Sequence, residues 1–125
     1  MKHLLAIFLI LLVSCETGRQ QPYVLAPAEF QHQLQTTTDA VLVDVRRPDE
    51  LAAGQIAGAR NVVFGSATFE QDILQLEKKP VFIYCAAGVR SAKAAVLLRE
   101  NGYVVYELEG GLQNWVTSGL PVTTP

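Results

Sequence analysis

The sequence is poor in the residues that most metal, redox and acid–base chemistry draws on. It holds two cysteines and two histidines in 125 residues. There is no Cys-x-x-Cys, no pair of neighbouring histidines and no acidic cluster at ligand spacing, so neither a metal site nor a dithiol redox centre is indicated, and no cofactor is expected. A basic excess is missing as well. Ten Lys and Arg stand against twelve Asp and Glu, a formal charge of −2, which gives no reason to expect nucleic acid as a partner and marks no Lys/Arg-rich surface for acidic lipid. Internal repeats and low-complexity segments are absent. The chain is too short for two ordinary domains, yet 50% of it is hydrophobic, enough to give one domain a real core. A monomer is the expected state, and no protein partner is named by the sequence.

The longest uninterrupted apolar run stands at the N-terminus, where Lys2 and His3 precede Leu4 to Val13. This is the pattern of a secretory signal. The run is well below the roughly 20 residues that span a bilayer as a helix, and its uniform apolarity offers no amphipathic face to a buried helix. Leu12-Val13-Ser14-Cys15 resembles the lipobox of bacterial lipoproteins. That resemblance implies cleavage before Cys15, a lipid on Cys15, and an exported, membrane-anchored protein of the periplasm or cell envelope. The expected organisation is a signal peptide over 1–14, a lipidated polar tether over 15–21 and a folded domain over 22–125. With Cys15 taken by lipid, Cys85 is left as a free thiol in an oxidising setting, where thiols ordinarily pair. A buried core cysteine is the bland alternative, but Cys85 ends a strand pattern rather than lying inside one.

From Pro22 onward, strand and helix signals alternate. Tyr23 to Leu25 reads as an edge strand. Pro27, Phe30 and Leu34 indicate a short amphipathic helix to about Gln35, with His32 on its polar side. Val41 to Val45 is a buried parallel strand. Pro48 to Leu51 begins a helical turn that Gly54 stops, and Arg60 to Val63 is a further strand. Phe69, Ile73, Leu74 and Leu76 form a helical stripe, with Lys78 and Lys79 expected to complement its dipole. Val81 to Tyr84 is a second apolar strand. After it come a loop from Cys85, a helix from Ser91 to Asn101-Gly102, a strand over Tyr103 to Leu108, and a last helix carrying Leu112 and Trp115. This order predicts an α/β domain with a mainly parallel five-stranded sheet flanked by helices.

Sites in such sheets form outside the carboxyl ends of the strands, which is where Cys85 falls. The following helix directs free N–H groups and its positive end at the loop, favouring an anion. Arg90 adds a fixed charge, and both effects are expected to lower the thiol pKa. His32 is distant in sequence and supports no Cys-His dyad.

The sequence resembles the rhodanese (thiosulfate sulfurtransferase) family. The likeness rests on Val43-Asp44-Val45-Arg46 with Glu50-Leu51 and Gly54-Gln55-Ile56-Ala57-Gly58-Ala59, on the loop Cys85 to Arg90, and on Gly110-Gly111-Leu112 with Trp115 and Gly119-Leu120-Pro121-Val122. The resemblance implies a three-layer fold and a sulfurtransferase. Cys85 would take the outer sulfur of a small anionic donor, typically thiosulfate, as a persulfide and pass it to a thiophilic acceptor such as cyanide or a thiol. Ala86, Ala87, Gly88, Val89 and Arg90 would bind the donor, with Gly88 easing the tight curl. Arg90 has two readings, a ligand of the donor anion or a structural side chain turned to solvent. Asp44 and Arg46 match the family's strand-end pair. Their plainer role is an ion-pair network in which Arg46 reaches Glu50, and Trp115 reads as a core anchor. Gln55 stands where the family usually has histidine, and Ala86 where thiosulfate-specialised members carry a basic residue, which weakens the case for a thiosulfate preference.

Two other readings use the same strand, loop and helix. The related phosphatases and arsenate reductases have one more residue between cysteine and arginine, enough to encircle a tetrahedral oxyanion. A non-catalytic docking module or partner-directed persulfide carrier is the other, although many such modules lack the cysteine.

Overall fold

The structure is a computed structural model that describes residues 23–125. The expected signal peptide, the lipidation at Cys15, the tether and Pro22 lie outside the described residues. The elements in order are β1 (Tyr23–Leu25), α1 (Pro27–Thr36), β2 (Val41–Asp44), α2 (Pro48–Leu51), β3 (Arg60–Asn61), α3 (Phe69–Ile73), β4 (Val81–Tyr84), α4 (Val89–Glu100), β5 (Val105–Leu108) and α5 (Gly111–Thr117). The five strands form one sheet in the order β1-β5-β4-β2-β3, and every strand pair in it is parallel.

The central strands are apolar on both faces because both faces are covered. Alternate side chains of β2 and β4 feed two separate cores. Val41, Val43, Val81 and Ile83 pack with Ile73 of α3 and Ala94, Ala95 and Leu98 of α4. Leu42, Phe82 and Tyr84 pack on the opposite face with Phe30 of α1 and Leu112 and Trp115 of α5. The result is the expected α/β three-layer arrangement, a parallel sheet with helices on both faces. Trp115 is a core anchor, 2% exposed, edge-on to Phe30 at 6.3 Å, with its indole N–H donated to the Pro121 carbonyl at 2.9 Å.

Three local expectations need correction. Helix α3 ends at Ile73, before Leu76, so Lys78 and Lys79 do not serve its dipole. Lys79 pairs with Glu77 at 2.8 Å, whereas Lys78 donates to the Asn101 carbonyl and lies 3.8 Å from the centre of the Tyr103 ring. Strand β5 starts at Val105, because Tyr103 turns inward as a tether: its hydroxyl donates to the Leu76 carbonyl at 2.5 Å. Strand β3 is limited to Arg60–Asn61.

Candidate active site

The site begins with strand register. Asp44 of β2 is level with Tyr84 of β4, and the Val45 N–H bonds the Tyr84 carbonyl at 3.1 Å. The residues leaving β2 therefore run beside Cys85 as it leaves β4. Helix α4 begins at Val89 rather than Ser91, so Val89 and Arg90 belong to its first turn, and only Cys85 to Gly88 are loop. Gly88 caps the helix at φ 96°, a left-handed conformation that costs glycine little.

Glycine offers no capping side chain, and the cysteine sulfur supplies the acceptor instead. Cys85 Sγ accepts the Gly88 N–H at 3.1 Å and the Ser91 N–H at 3.4 Å, and lies 3.4 Å from the Ser91 hydroxyl. These are the donors that a helix start leaves without internal partners. The side chain is buried, 1% exposed, as the core reading has it, but it is held by polar contacts. Burial pushes its thiol pKa up, while the Ser91 hydroxyl and the N–H groups of Ser91, Gly88 and Ala87 more than reverse this, so the net shift is downward.

Ser91 is the residue that sequence reasoning missed. Its signal was its place just after Arg90, at the third position of the helix, where the N–H is still free. Removing the hydroxyl, as in Ser91→Ala, takes away one of the interactions that favour the thiolate, so the pKa rises and the thiolate fraction at neutral pH falls. One hydrogen bond of about 1 kcal/mol corresponds to roughly a fivefold change. Iodoacetamide alkylation of Cys85, followed against pH, is expected to have its midpoint shifted upward by this amount. An unshifted midpoint would mean that the backbone alone sets the thiol.

Arg90 is neither turned to solvent nor free. It donates to both carboxylate oxygens of Glu50 at 2.7 and 2.9 Å, across 40 residues of sequence. The expected Arg46–Glu50 side-chain pair is not formed. Arg46 instead binds Asp44 through Nε at 3.0 and 3.1 Å and Nη2 at 2.7 Å, and gives its remaining reach to the carbonyls of Glu50 at 3.1 Å and Gly54 at 2.8 Å. Its guanidinium thus ties the end of β2 to the turn after α2. The reason is spacing: Asp44 and Arg46 share a face of the extended chain, two residues apart, whereas the Glu50 carboxylate points toward α4.

The hydrogen bond from Arg90 is the main reason that the Glu50 carboxyl is lowered from 4.5 to about 2; partial burial opposes it, and the Arg47 backbone N–H assists. A lowered folded-state pKa contributes stability that is complete above the ordinary value and lost as pH falls through the lowered one. Glu50→Gln is therefore expected to lower stability by about 1 kcal/mol at pH 7. Its deficit relative to the unaltered protein should shrink between pH 4.5 and about 2. Urea midpoints at stepped pH measure this, and a constant deficit would rule out the carboxylate charge as the cause.

Helix α5 closes the loop from the other side, its Leu112 and Gln113 N–H groups bonding the Cys85 and Ala86 carbonyls at 2.8 and 3.0 Å. Between loop, α5 and the turn after α2 lies a cavity of about 390 Å³ with Ala86 and Arg46 in its wall. His32 is exposed on α1 and is not among the partners of Cys85 Sγ. Among the described residues, no group of His, Cys, Asp and Glu side chains is arranged to hold a metal ion.

Residues 26–118 match the sequence profile of the family described as "Rhodanese-like domain". The chain is 42% identical over 77 residues to the uncharacterized protein YqhL of Bacillus subtilis, the match covering 61% of this chain and 60% of that protein. It is 35% identical over 97 residues to a sulfurtransferase of Allochromatium vinosum, covering 77% and 90%. A rhodanese-related protein from Thermoplasma volcanium superposes with a TM-score of 0.72 at 30% identity, over 81% of this chain and 97% of that one.

Proposed function

Because the chain belongs to the rhodanese-like domain family, we propose that it is a sulfurtransferase that carries sulfur as a persulfide on Cys85. The observation that carries this reading is the sulfur at the centre of the Gly88 and Ser91 donors. There the thiolate is favoured without a general base. In the first half-reaction Cys85 Sγ⁻ attacks the outer sulfur of thiosulfate or a similar donor. The donor's S–S bond breaks, and sulfite leaves with the electron pair. The N–H groups of the loop then face the terminal sulfur anion of the persulfide. In the second, cyanide or a thiolate takes that terminal sulfur and the Cys85 thiolate returns. Among the described residues Cys85 is the free cysteine, with no second thiol beside it to resolve the persulfide, so an external acceptor discharges it.

Treating the purified protein with thiosulfate and recording its intact mass tests the reading: a gain of one sulfur atom on Cys85, removed by cyanide with release of thiocyanate, is the expected result. No adduct with thiosulfate or with any other sulfane-sulfur donor would overturn it. One observation favours a second reading, a carrier that delivers sulfur to a protein partner: Cys85 is 1% exposed, and an acceptor must enter the loop to reach it. An adduct that resists cyanide but passes to a protein thiol would select the carrier. A phosphatase or arsenate reductase is disfavoured by the span from Cys85 to Arg90, one residue too short to encircle a tetrahedral oxyanion, and by the engagement of Arg90 with Glu50.

A further inference from the structure

The cavity beside the cysteine loop has no role in the scheme above. Its wall is built from Ala53, Ala86, Leu112 and Val116, together with Arg46, Gln113 and Thr117. At about 390 Å³ it lies in the size range of small-molecule sites, and it borders the cysteine loop at Ala86, the residue after Cys85. Its polar groups are largely committed elsewhere. The Arg46 guanidinium is held by Asp44 and by two carbonyls. The Thr117 hydroxyl donates to the Gln113 carbonyl at 2.9 Å. The cations near the loop are likewise paired, Arg90 with Glu50 and Arg47 with Asp49, so a doubly charged inorganic donor meets no free guanidinium there. Val116, 52% exposed, and the exposed Ala53 carry the apolar wall out to the surface.

Resting on the reading of Cys85 as the sulfur acceptor, we infer that the preferred donor is an organic sulfane-sulfur compound with a single negative charge and an apolar substituent, and that this cavity seats the substituent. With a thiosulfonate, R–SO2–S⁻, the Cys85 thiolate attacks the terminal sulfur and forms the Cys85 S–S bond. The donor's S–S bond breaks, and the sulfinate R–SO2⁻ departs with the electron pair, so that one anion is exchanged for another with no external oxidant or reductant. The substituent stays outside the reacting bond and contributes through burial of hydrocarbon.

The test compares hexanethiosulfonate, methanethiosulfonate and thiosulfate as donors to the full chain, reading the rate of sulfur gain on Cys85. The hexyl compound is expected to exceed the methyl one in kcat/KM by roughly thirtyfold or more, since each buried methylene is worth several-fold. Val116→Asp places a charge in the wall and Ala53→Phe fills the space. Each is expected to bring the hexyl-to-methyl ratio to within about threefold of unity, whereas Val96→Asp, on an exposed position of α4 outside the cavity, keeps the preference. Equal rates for the two thiosulfonates in the unaltered protein, or a ratio that survives both wall substitutions, overturn the cavity's role while sulfur transfer stands. Failure of every donor to load Cys85 overturns sulfur transfer itself, and the cavity assignment with it.

Discussion

Cys85→Ser is expected to reduce thiocyanate formation from thiosulfate and cyanide to the uncatalysed background, a loss of roughly 10³-fold or more, as for other enzymes stripped of their nucleophile. A serine hydroxyl can also accept hydrogen bonds, so the loop is expected to keep a helix-capping acceptor where the sulfur now takes the Gly88 and Ser91 N–H groups. Stability should change by no more than about 1 kcal/mol. The chemistry does not survive the exchange: a hydroxyl stays protonated where the thiol is lowered, and an oxygen cannot hold the transferred sulfur as a persulfide. The two measurements separate the roles. A urea midpoint close to that of the unaltered protein, with background turnover, identifies Cys85 as the sulfur carrier. Retained turnover would move the chemistry to another group and sink the mechanism.

What the sequence revealed of this site follows from how local each interaction is. The runs Val41–Asp44 and Val81–Tyr84 are buried along their whole length, and an apolar stretch that fits neither a period of two nor a helix has few other places to go than a covered parallel sheet. The helical turn Pro48–Leu51 and the stop at Asn101-Gly102 were equally readable, because proline and glycine act on their own neighbours. Cys85 was legible as the end of a strand before a helix. Its partners were not, since the capping of Gly88 by a sulfur is fixed only once α4 is known to start at Val89.

The charges were the least legible part. Glu50 had Arg46 four residues before it and chose Arg90 instead, because strand order brings the start of α4 over α2 while Arg46 is retained by Asp44 on its own strand end. No spacing rule contains that choice. It changes the electrostatic picture of the loop: the thiol is lowered first by the Ser91 hydroxyl and backbone N–H groups, and Arg90, which also interacts with Cys85, does so while held by Glu50.

The second large effect is expected at Gly111→Ala. Gly111 is the first residue of α5 and is buried, with φ at +64°, and a Cβ there would stand 2.6 Å from the carbonyl oxygens of both Cys85 and Ala86. Those two oxygens accept the Leu112 and Gln113 N–H groups at 2.8 and 3.0 Å, so the methyl would occupy the space across which helix and loop are joined. Backbone cannot swing aside as a long side chain can. Either α5 withdraws and gives up both hydrogen bonds, or the loop moves and carries Cys85 with it. The conformational cost of a left-handed alanine, about 1 kcal/mol or somewhat more, adds to the lost contacts, for a total of roughly 3 kcal/mol. Sulfur transfer should fall on the order of 10²-fold, the cost of a reacting atom displaced by about 1 Å. Gly65→Ala isolates the cause. Its φ of +84° imposes a similar conformational strain, but nothing lies within 4 Å of the added carbon, so only the conformational part remains and turnover is expected to stay intact. If Gly111→Ala costs no more than Gly65→Ala in urea midpoint and turnover, the close approach of α5 does not hold the loop, and the positioning of Cys85 must rest on α4 alone.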